Sequence, residues 1–415
     1  MIDCNNFYAS CERVFHPAWG HRPVGVLSNN DGCIVARSNE LKDAGIPMGV
    51  PYFQAKDQLA KINAVVVSSN YALYGDLSAR VMNTLSQFTP EMEVYSIDEA
   101  WLDLSGFNPA DLDGYGRDIT RTIKQHTGIP VSMGIAPTKV LAKIANRICK
   151  QRKIPGAVFN LGNEKALDEV LGAIAVDEIW GIGSRWGKGL NALGIDNARQ
   201  LRDCDTGQMR KRFSVVMERL ILELRGIPCL EFEDIAPKKQ IIASRSFGER
   251  VTELPDLKEA VSSYVTRAAE KLRAQGSACR LLQVSIRTGR HNPKEQFVRR
   301  SRQIEFGAPT ADTRKLIAAA CQGVEQMFVP GVRYAKAGVM LFDLVPVDGM
   351  QLGLFEPGDS DKSQVLMETV DRLNRLYGRR SLFFASEGIQ KRWGMKRERM
   401  TPCYTTHWED LPTVQ

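Results

Sequence analysis

The chain has 415 residues, 43% of them apolar and 25% charged, with 34 glycines and 19 prolines; this globular composition excludes disorder and fibrous folds and leaves room for about two to four domains. Lys and Arg total 55 against 48 Asp and Glu, and the net charge of +7 is too small an average to establish a nucleic-acid partner. No apolar run reaches the ~20 residues of a membrane span, no basic-then-apolar leader opens the chain, and the nine scattered cysteines contain no Cys-x-x-Cys, so no membrane partner, disulfide framework or zinc module is expected and a reducing cytoplasm is the expected home.

In chain order, a short strand runs into a helix beginning near Phe7, which puts Asp3 at a strand's C-terminal end. Arg37, Ser38, Asn39 and Lys42 cluster at the start of another helix, where free backbone N–H groups and the helix dipole favour phosphate. The strand-like stretch 95–104 is interrupted by Asp98 and Glu99. Adjacent acids in an apolar setting need a cation, an Arg or solvent, although an exposed turn with two solvated acids reads equally well from this fragment. Residues 137–150 form an amphipathic helix with Lys139, Lys143, Asn146 and Lys150 on one face and Val140, Leu141, Ile144, Ala145 and Ile148 opposite; taken alone, that basic face could be merely solvated. The helix closes in a basic cluster followed by Pro155 and Gly156.

Short helical patterns fill 163–223, and 228–237 is an extended acidic linker. A second α/β unit follows, with strands at 241–247, 281–288 and 337–342 and helices at 257–273 and 310–328. After a loop come a helix at 363–376 and a tail rich in Arg and Lys. The charge is uneven: 26 basic and 28 acidic groups over 1–235, 19 and 10 over 236–345, and 10 of each over 346–415. The excess of nine positive charges thus sits in the second α/β unit.

Asp3, Asp98 and Glu99, from two strand ends, could hold two Mg²⁺ ions against a triphosphate, provided that phosphate-binding cations lie nearby. The motifs Asp3-Cys-Asn-Asn-Phe-Tyr-Ala-Ser-Cys-Glu12, Ser28-Asn-Asn-Asp-Gly-Cys33, Tyr95-Ser-Ile-Asp-Glu-Ala100 and Gly134-Ile-Ala-Pro-Thr-Lys-Val-Leu-Ala-Lys-Ile-Ala-Asn146 occur together and in order. With them the chain resembles a Y-family translesion DNA polymerase, and Ser244-Arg-Ser-Phe-Gly-Glu-Arg250 narrows the resemblance to the bacterial UmuC branch, over essentially the whole length.

The resemblance implies a multidomain α/β (α+β) fold shaped as a right hand: palm at 1–12 and 72–160, small fingers at 13–71, a helical thumb at 161–235, an α/β little finger at 240–345 and a C-terminal tail at 346–415. It implies low-fidelity, template-directed synthesis past lesions in the SOS response, with primer-template DNA and dNTPs as substrates and two Mg²⁺ held by Asp3, Asp98, Glu99 and the Cys4 carbonyl. Tyr8 matches the steric gate, with Phe7 beside it, and Ser38, Asn39, Lys42 and Lys150 match the triphosphate positions. Asn5 stands where many relatives have a second Asp and is not expected to bind metal; only Met1 and Ile2 precede Asp3, so the first palm strand is short or its start lies upstream.

Residues 180–195 resemble a helix-hairpin-helix, in which Gly181 and Gly183 let the backbone approach a phosphate. Arg245, Arg250 and Arg287 in the basic unit would neutralise duplex phosphates. Gln351-Leu352-Gly-Leu354-Phe355 resembles the peptide by which bacterial polymerases dock on the sliding clamp, and the C-terminal region implies contact with a processed UmuD-type dimer and a RecA filament. Two other classes remain: a catalytically silent DNA- and clamp-binding scaffold, against which the intact acids argue, and a palm-based cyclase, which would have no use for the basic unit.

Overall fold

The computed structural model describes residues 1–163, 167–233, 236–290, 296–348 and 358–412. The chain divides into two compact units: Met1–Ser28, Gly32–Asp234 and Arg399–Gln415 form the first, and Asn29–Asp31 with Ile235–Glu398 the second.

The first unit opens with β1 (Ile2–Cys4) and α1 (Phe7–Val14), joined through Asn6 at φ 50, a left-handed conformation that Asn tolerates. Next come β2 (Val24–Leu27), β3 (Ile34–Arg37), α2 (Asn39–Asp43), α3 (Tyr52–Lys61) and β4 (Val65–Ser68), whose strands make a small sheet in the order β3-β2-β4. Then follow α4 (Tyr71–Leu85), β5 (Met92–Val94), β6 (Glu99–Leu102), α5 (Leu112–Thr127), β7 (Val131–Ile135), α6 (Lys139–Gln151) and β8 (Val158–Asn160).

The main sheet has the order β5-β6-β1-β7-β8, so the three residues of β1 lie at its centre. Leu73, Tyr74, Leu77 and Val81 of α4 and Ile119 and Ile123 of α5 pack with Ile2, Ala100 and Met133 into one buried core. Helix α6 lies against β7 closely enough that a Cβ on Gly134 would collide with the Asn146 backbone, so glycine is required there. That approach brings Lys143 and Lys150 of α6 to Glu99 on β6 and Asp3 on β1. A helical part with its own core follows: α7 (Leu167–Gly172), α8 (Ser184–Asn191), α9 (Ala198–Asp203), α10 (Thr206–Arg212) and α11 (Val215–Leu224).

The second unit holds β9 (Gln240–Val251), α12 (Leu254–Ala274), β10 (Ser277–Arg287), β11 (Arg299–Thr310), α13 (Thr313–Met327), β12 (Tyr334–Pro346) and α14 (Asp361–Leu376). Its antiparallel sheet has the order β11-β10-β12-β9, and α12 and α13 bury the face that carries Leu282, Val284 and Ile286. The sequence pattern supplied three of these strands but not β11. Trp393 is buried in the same core, so the C-terminal region is shared: residues up to Glu398 belong to this unit and those from Arg399 to the first.

Candidate active site

Strand pairing brings two of the acids together, because Asp3 on β1 lies opposite Glu99 on β6 while the Cys4 N–H donates to the Asp98 carbonyl at 2.8 Å. Each acid has a partner. Lys150 at the end of α6 forms an ion pair with Asp3, Lys143 about two turns earlier approaches Glu99 at 3.2 Å, and the Ser96 hydroxyl donates to Asp98 at 2.6 Å. Burial raises the Glu99 carboxyl above its ordinary range; Lys143 opposes this, and the neighbouring charge of Asp3 adds to it. Burial, then Asp3 and Asp98, push the Cys4 thiol up; its side chain is buried in the apolar core, so the group it can offer a ligand is its carbonyl.

Among the described residues no three His, Cys, Asp or Glu side chains converge as a metal cage. The acids are instead drawn to lysines. Two like-charged acids across a strand pair, supplied only with hard oxygen donors and balanced by two ammonium groups, are a donor set suited to Mg²⁺.

An open cleft of about 720 Å³ joins Asp3, Asp98, Phe7, Tyr8, Asn39, Lys42 and Lys150. Glu99 faces a neighbouring cavity that it shares with Asp3, Lys143 and Lys150. The Lys42 ammonium donates to Asn6 Oδ1 at 2.5 Å, and Asn6 Nδ2 donates to Asn39 Oδ1 at 3.0 Å. Burial, then the like charges of Arg37 and Lys150, lower the Lys42 pKa, and Asp3 and Asp43 oppose them. Arg37, already part of the polar cluster before α2, also lines the cleft, as do Asn6 and Lys153, which the sequence did not single out. Ser38 does not belong to it: it is wholly buried, accepting hydrogen bonds from Val24 N at 3.0 Å and Leu41 N at 3.4 Å, and so anchors the start of α2 instead of meeting a ligand. Asn5 accepts from the Ser132 hydroxyl at 2.9 Å.

Tyr8 stacks on Tyr74 with ring centroids 4.4 Å apart and planes at 15°, and packs edge-on against Tyr71. Farther along, the Gly-rich segment is preceded by a single 3-10 turn at Val176–Glu178, where the sequence suggested a helix, and leads into α8. Gly181 adopts φ 93, and a Cβ on Gly187 would meet Asp177 at 2.9 Å, so glycine sets both the turn and the close packing.

In the second unit the uncovered face of the sheet carries two transverse rows. Arg299, Arg287, Lys336 and Ser246 lie side by side across all four strands, and Ser301, Ser285, Gly338 and Ser244 form the next row. Facing cations repel one another, and burial, then Arg290 and Arg299, depress even the Arg287 pKa. A row of small hydroxyls beside a row of cations is a surface on which a polyanionic backbone can lie closely. Arg245 and Arg250 are on β9 of the same sheet, but Arg245 pairs with the buried Ala337 and so lies on the helix-covered side, away from these rows. Gln351, Leu352, Leu354 and Phe355 lie outside the described residues.

Residues 2–147 match the impB/mucB/samB family, residues 238–354 the C-terminal domain of that family, and residues 364–414 a domain of unknown function. Protein UmuC of Salmonella typhimurium is 46% identical over 420 residues, covering 100% of this chain and 99% of that protein. Protein MucB of Escherichia coli is 40% identical over 99% of this chain and 98% of its own, and DNA polymerase IV of Brucella melitensis is 26% identical over 91% and 82%. The fold is similar to that of a Y-family DNA polymerase chimera of Dbh and Dpo4, with a TM-score of 0.65 at 21% identity over 83% of this chain and 98% of that one. An insertion ternary complex of Dbh DNA polymerase gives 0.55 at 22% over the same shares. The chain belongs to the impB/mucB/samB family and is a Y-family translesion DNA polymerase of the UmuC branch.

Proposed function

We propose that this chain adds deoxynucleotides to a primer 3′-hydroxyl opposite damaged template in an SOS response, with the five-stranded sheet as palm, the three-stranded sheet as fingers, the helices from α7 to α11 as thumb and the four-stranded unit as little finger. The observation that carries the reading is the convergence of Asp3, Asp98, Tyr8, Lys42 and Lys150 on one cleft at the strand ends.

Asp3, Asp98, Glu99 and the Cys4 carbonyl would hold two Mg²⁺ ions, which when bound supply Lewis-acid activation of the primer hydroxyl and stabilise charge on the transferring phosphate. Lys150 and Lys42 bind the triphosphate, with Asn39 and the Asn6 amide orienting Lys42. Lys143 and Lys150 already neutralise Glu99 and Asp3 in this structure, which keeps the acids close enough to share ligands. Tyr8 and Phe7 line the sugar end of the cleft, where Tyr8 rejects a 2′-hydroxyl by collision. The basic and hydroxyl rows of the little finger, Arg287 among them, hold primer-template DNA through its phosphates, and the Gly181–Gly183 turn adds a sequence-independent backbone contact. The clamp peptide at 351–355 and contacts of the C-terminal region with a UmuD-type dimer and RecA complete the assembly.

Single-nucleotide insertion into primer-template DNA tests the chemistry. Asp98→Asn should lower insertion by at least about a hundredfold while DNA affinity stays within about twofold. Retained insertion would remove Asp98 from the reaction.

A further inference from the structure

Behind Tyr8 the protein builds a support that includes its own C-terminal segment. Tyr74 is fully buried on α4, and its ring is the face on which Tyr8 stacks. The Tyr74 hydroxyl donates to Glu12 Oε1 at 2.6 Å, and Glu12, wholly buried, lies four residues after Tyr8 on the same helix. Tyr8, Tyr74 and Glu12 therefore close a triangle between α1 and α4.

Glu12 is a carboxyl in a costly place. Burial raises its pKa, opposed by the Tyr74 hydroxyl and then by the hydroxyl of Thr401, and its Oε2 has no hydrogen-bond partner among the described residues. Thr401 reaches this spot because residues 399–404 run along the first unit. Ser68 N donates to the Arg399 carbonyl and Arg399 N to Ser68 Oγ, both at 3.0 Å. Asn70, the cap of α4, is 1% exposed, and its amide donates to the Thr401 carbonyl at 3.0 Å, the Pro402 carbonyl at 3.1 Å and Thr401 Oγ1 at 3.2 Å. Tyr404 then stacks on Phe15 with ring centroids 4.7 Å apart, and its hydroxyl lies 3.1 Å from His16 Nε2. The segment thus covers the start of the helix that carries Tyr74 and the end of the helix that carries Tyr8.

Exclusion by collision works only if the wall cannot swing aside, and a displacement of about 1 Å is enough to change rates by orders of magnitude. We infer that Tyr74 and Glu12 are positioning residues for sugar discrimination at Tyr8, and that the segment Arg399–Pro402 completes their support, giving the second half of the C-terminal domain a part in nucleotide selection. This rests on the reading of Tyr8 as the gate.

The test compares insertion efficiencies of a dNTP and the matching rNTP on primer-template DNA, using the full chain and melting temperature as a control for folding. Tyr74→Phe keeps the ring and removes only its hydroxyl; the preference for dNTP should fall roughly three- to tenfold, through more efficient rNTP insertion, on the scale of one lost hydrogen bond. Adding Glu12→Gln to Tyr74→Phe removes the buried unpaired carboxyl without restoring the bond, so discrimination should stay low even if melting recovers. Glu12→Gln alone keeps an acceptor for Tyr74 and should keep discrimination near wild type. Thr401→Val should weaken discrimination in the same direction by a smaller factor. Tyr8→Ala separates the possible failures. If Tyr8→Ala leaves sugar preference unchanged, the gate reading fails and the support has nothing to position. If Tyr8→Ala abolishes the preference while Tyr74→Phe retains it in full, or if the double variant regains it along with melting temperature, the support inference is wrong although the gate stands.

Discussion

Tyr8 shows how much of one residue's role a sequence can carry. Its place beside Asp3 in a family motif marked it, but what fixes its ring is Tyr74, sixty-six positions away, and that stacking exists only once α4 folds over α1. Tyr8→Ala should admit ribonucleotides by at least about tenfold, measured as the ratio of dNTP to rNTP insertion; an unchanged ratio would take Tyr8 out of the gate. Glu99 makes the same point from another side. Its acidity was legible, its pairing with Lys143 was not, because the i and i+4 lysines on α6 reach the sheet only where Gly134 lets the helix approach. Glu99→Gln should lower insertion about as far as Asp98→Asn while leaving DNA affinity nearly unchanged, since neither acid contributes to the duplex-binding rows. Ser38 was misread because a hydroxyl before a helix start serves equally well as a phosphate ligand or as a cap, and only burial tells the two apart.

At the scale of elements, periodicity carried the amphipathic helices, among them α6 and α12, since each buries one apolar stripe. Strand β11 escaped for a physical reason. Its first half, Arg299-Arg-Ser-Arg-Gln, is polar on both faces and exposed at the sheet edge, so it offers no alternation to read and is held by pairing with β10 instead. Caps are a second device that composition conceals. Asp312 starts α13, accepting from Arg314 N at 2.8 Å and from the Ser363 hydroxyl at 2.5 Å, which joins α13 to α14. Burial alone would raise its carboxyl, but hydrogen bonds from Arg314 and Ser363 and the Arg314 charge hold it at about 2, below the ordinary 3.8. A carboxyl depressed in the folded state stabilises fully above its unfolded value and loses that contribution as pH falls through its folded one. Asp312→Asn should therefore flatten the loss of stability between about pH 4 and pH 2, as followed by denaturant unfolding at each pH; an unchanged slope would show that this carboxyl is not linked to folding.

At the scale of the molecule, the uneven charge was the most informative feature outside the motifs. The excess of positive charge assigned to one stretch of sequence becomes, in the fold, a transverse row of Arg299, Arg287 and Lys336 on the uncovered side of a sheet. Binding through such a surface depends on counterion release, so affinity for primer-template DNA should fall steeply with salt, and Arg287→Ala should reduce the slope of log Kd against log salt by about one, with little change in sequence preference. What no pattern could reveal was the division of the C-terminal region, whose end returns to support the unit that starts the chain; such long-range closure has no local signature.

The most direct measurement is primer extension across a template abasic site with Mg²⁺, sliding clamp, a processed UmuD-type dimer and a RecA filament, comparing the chain with its Asp98→Asn variant at equal DNA occupancy. Product extending beyond the lesion with the unaltered chain and none with the variant is the expected result. Equal bypass by both, or no synthesis by the unaltered chain although it binds the DNA, would contradict the assignment of the cleft as the site of catalysis.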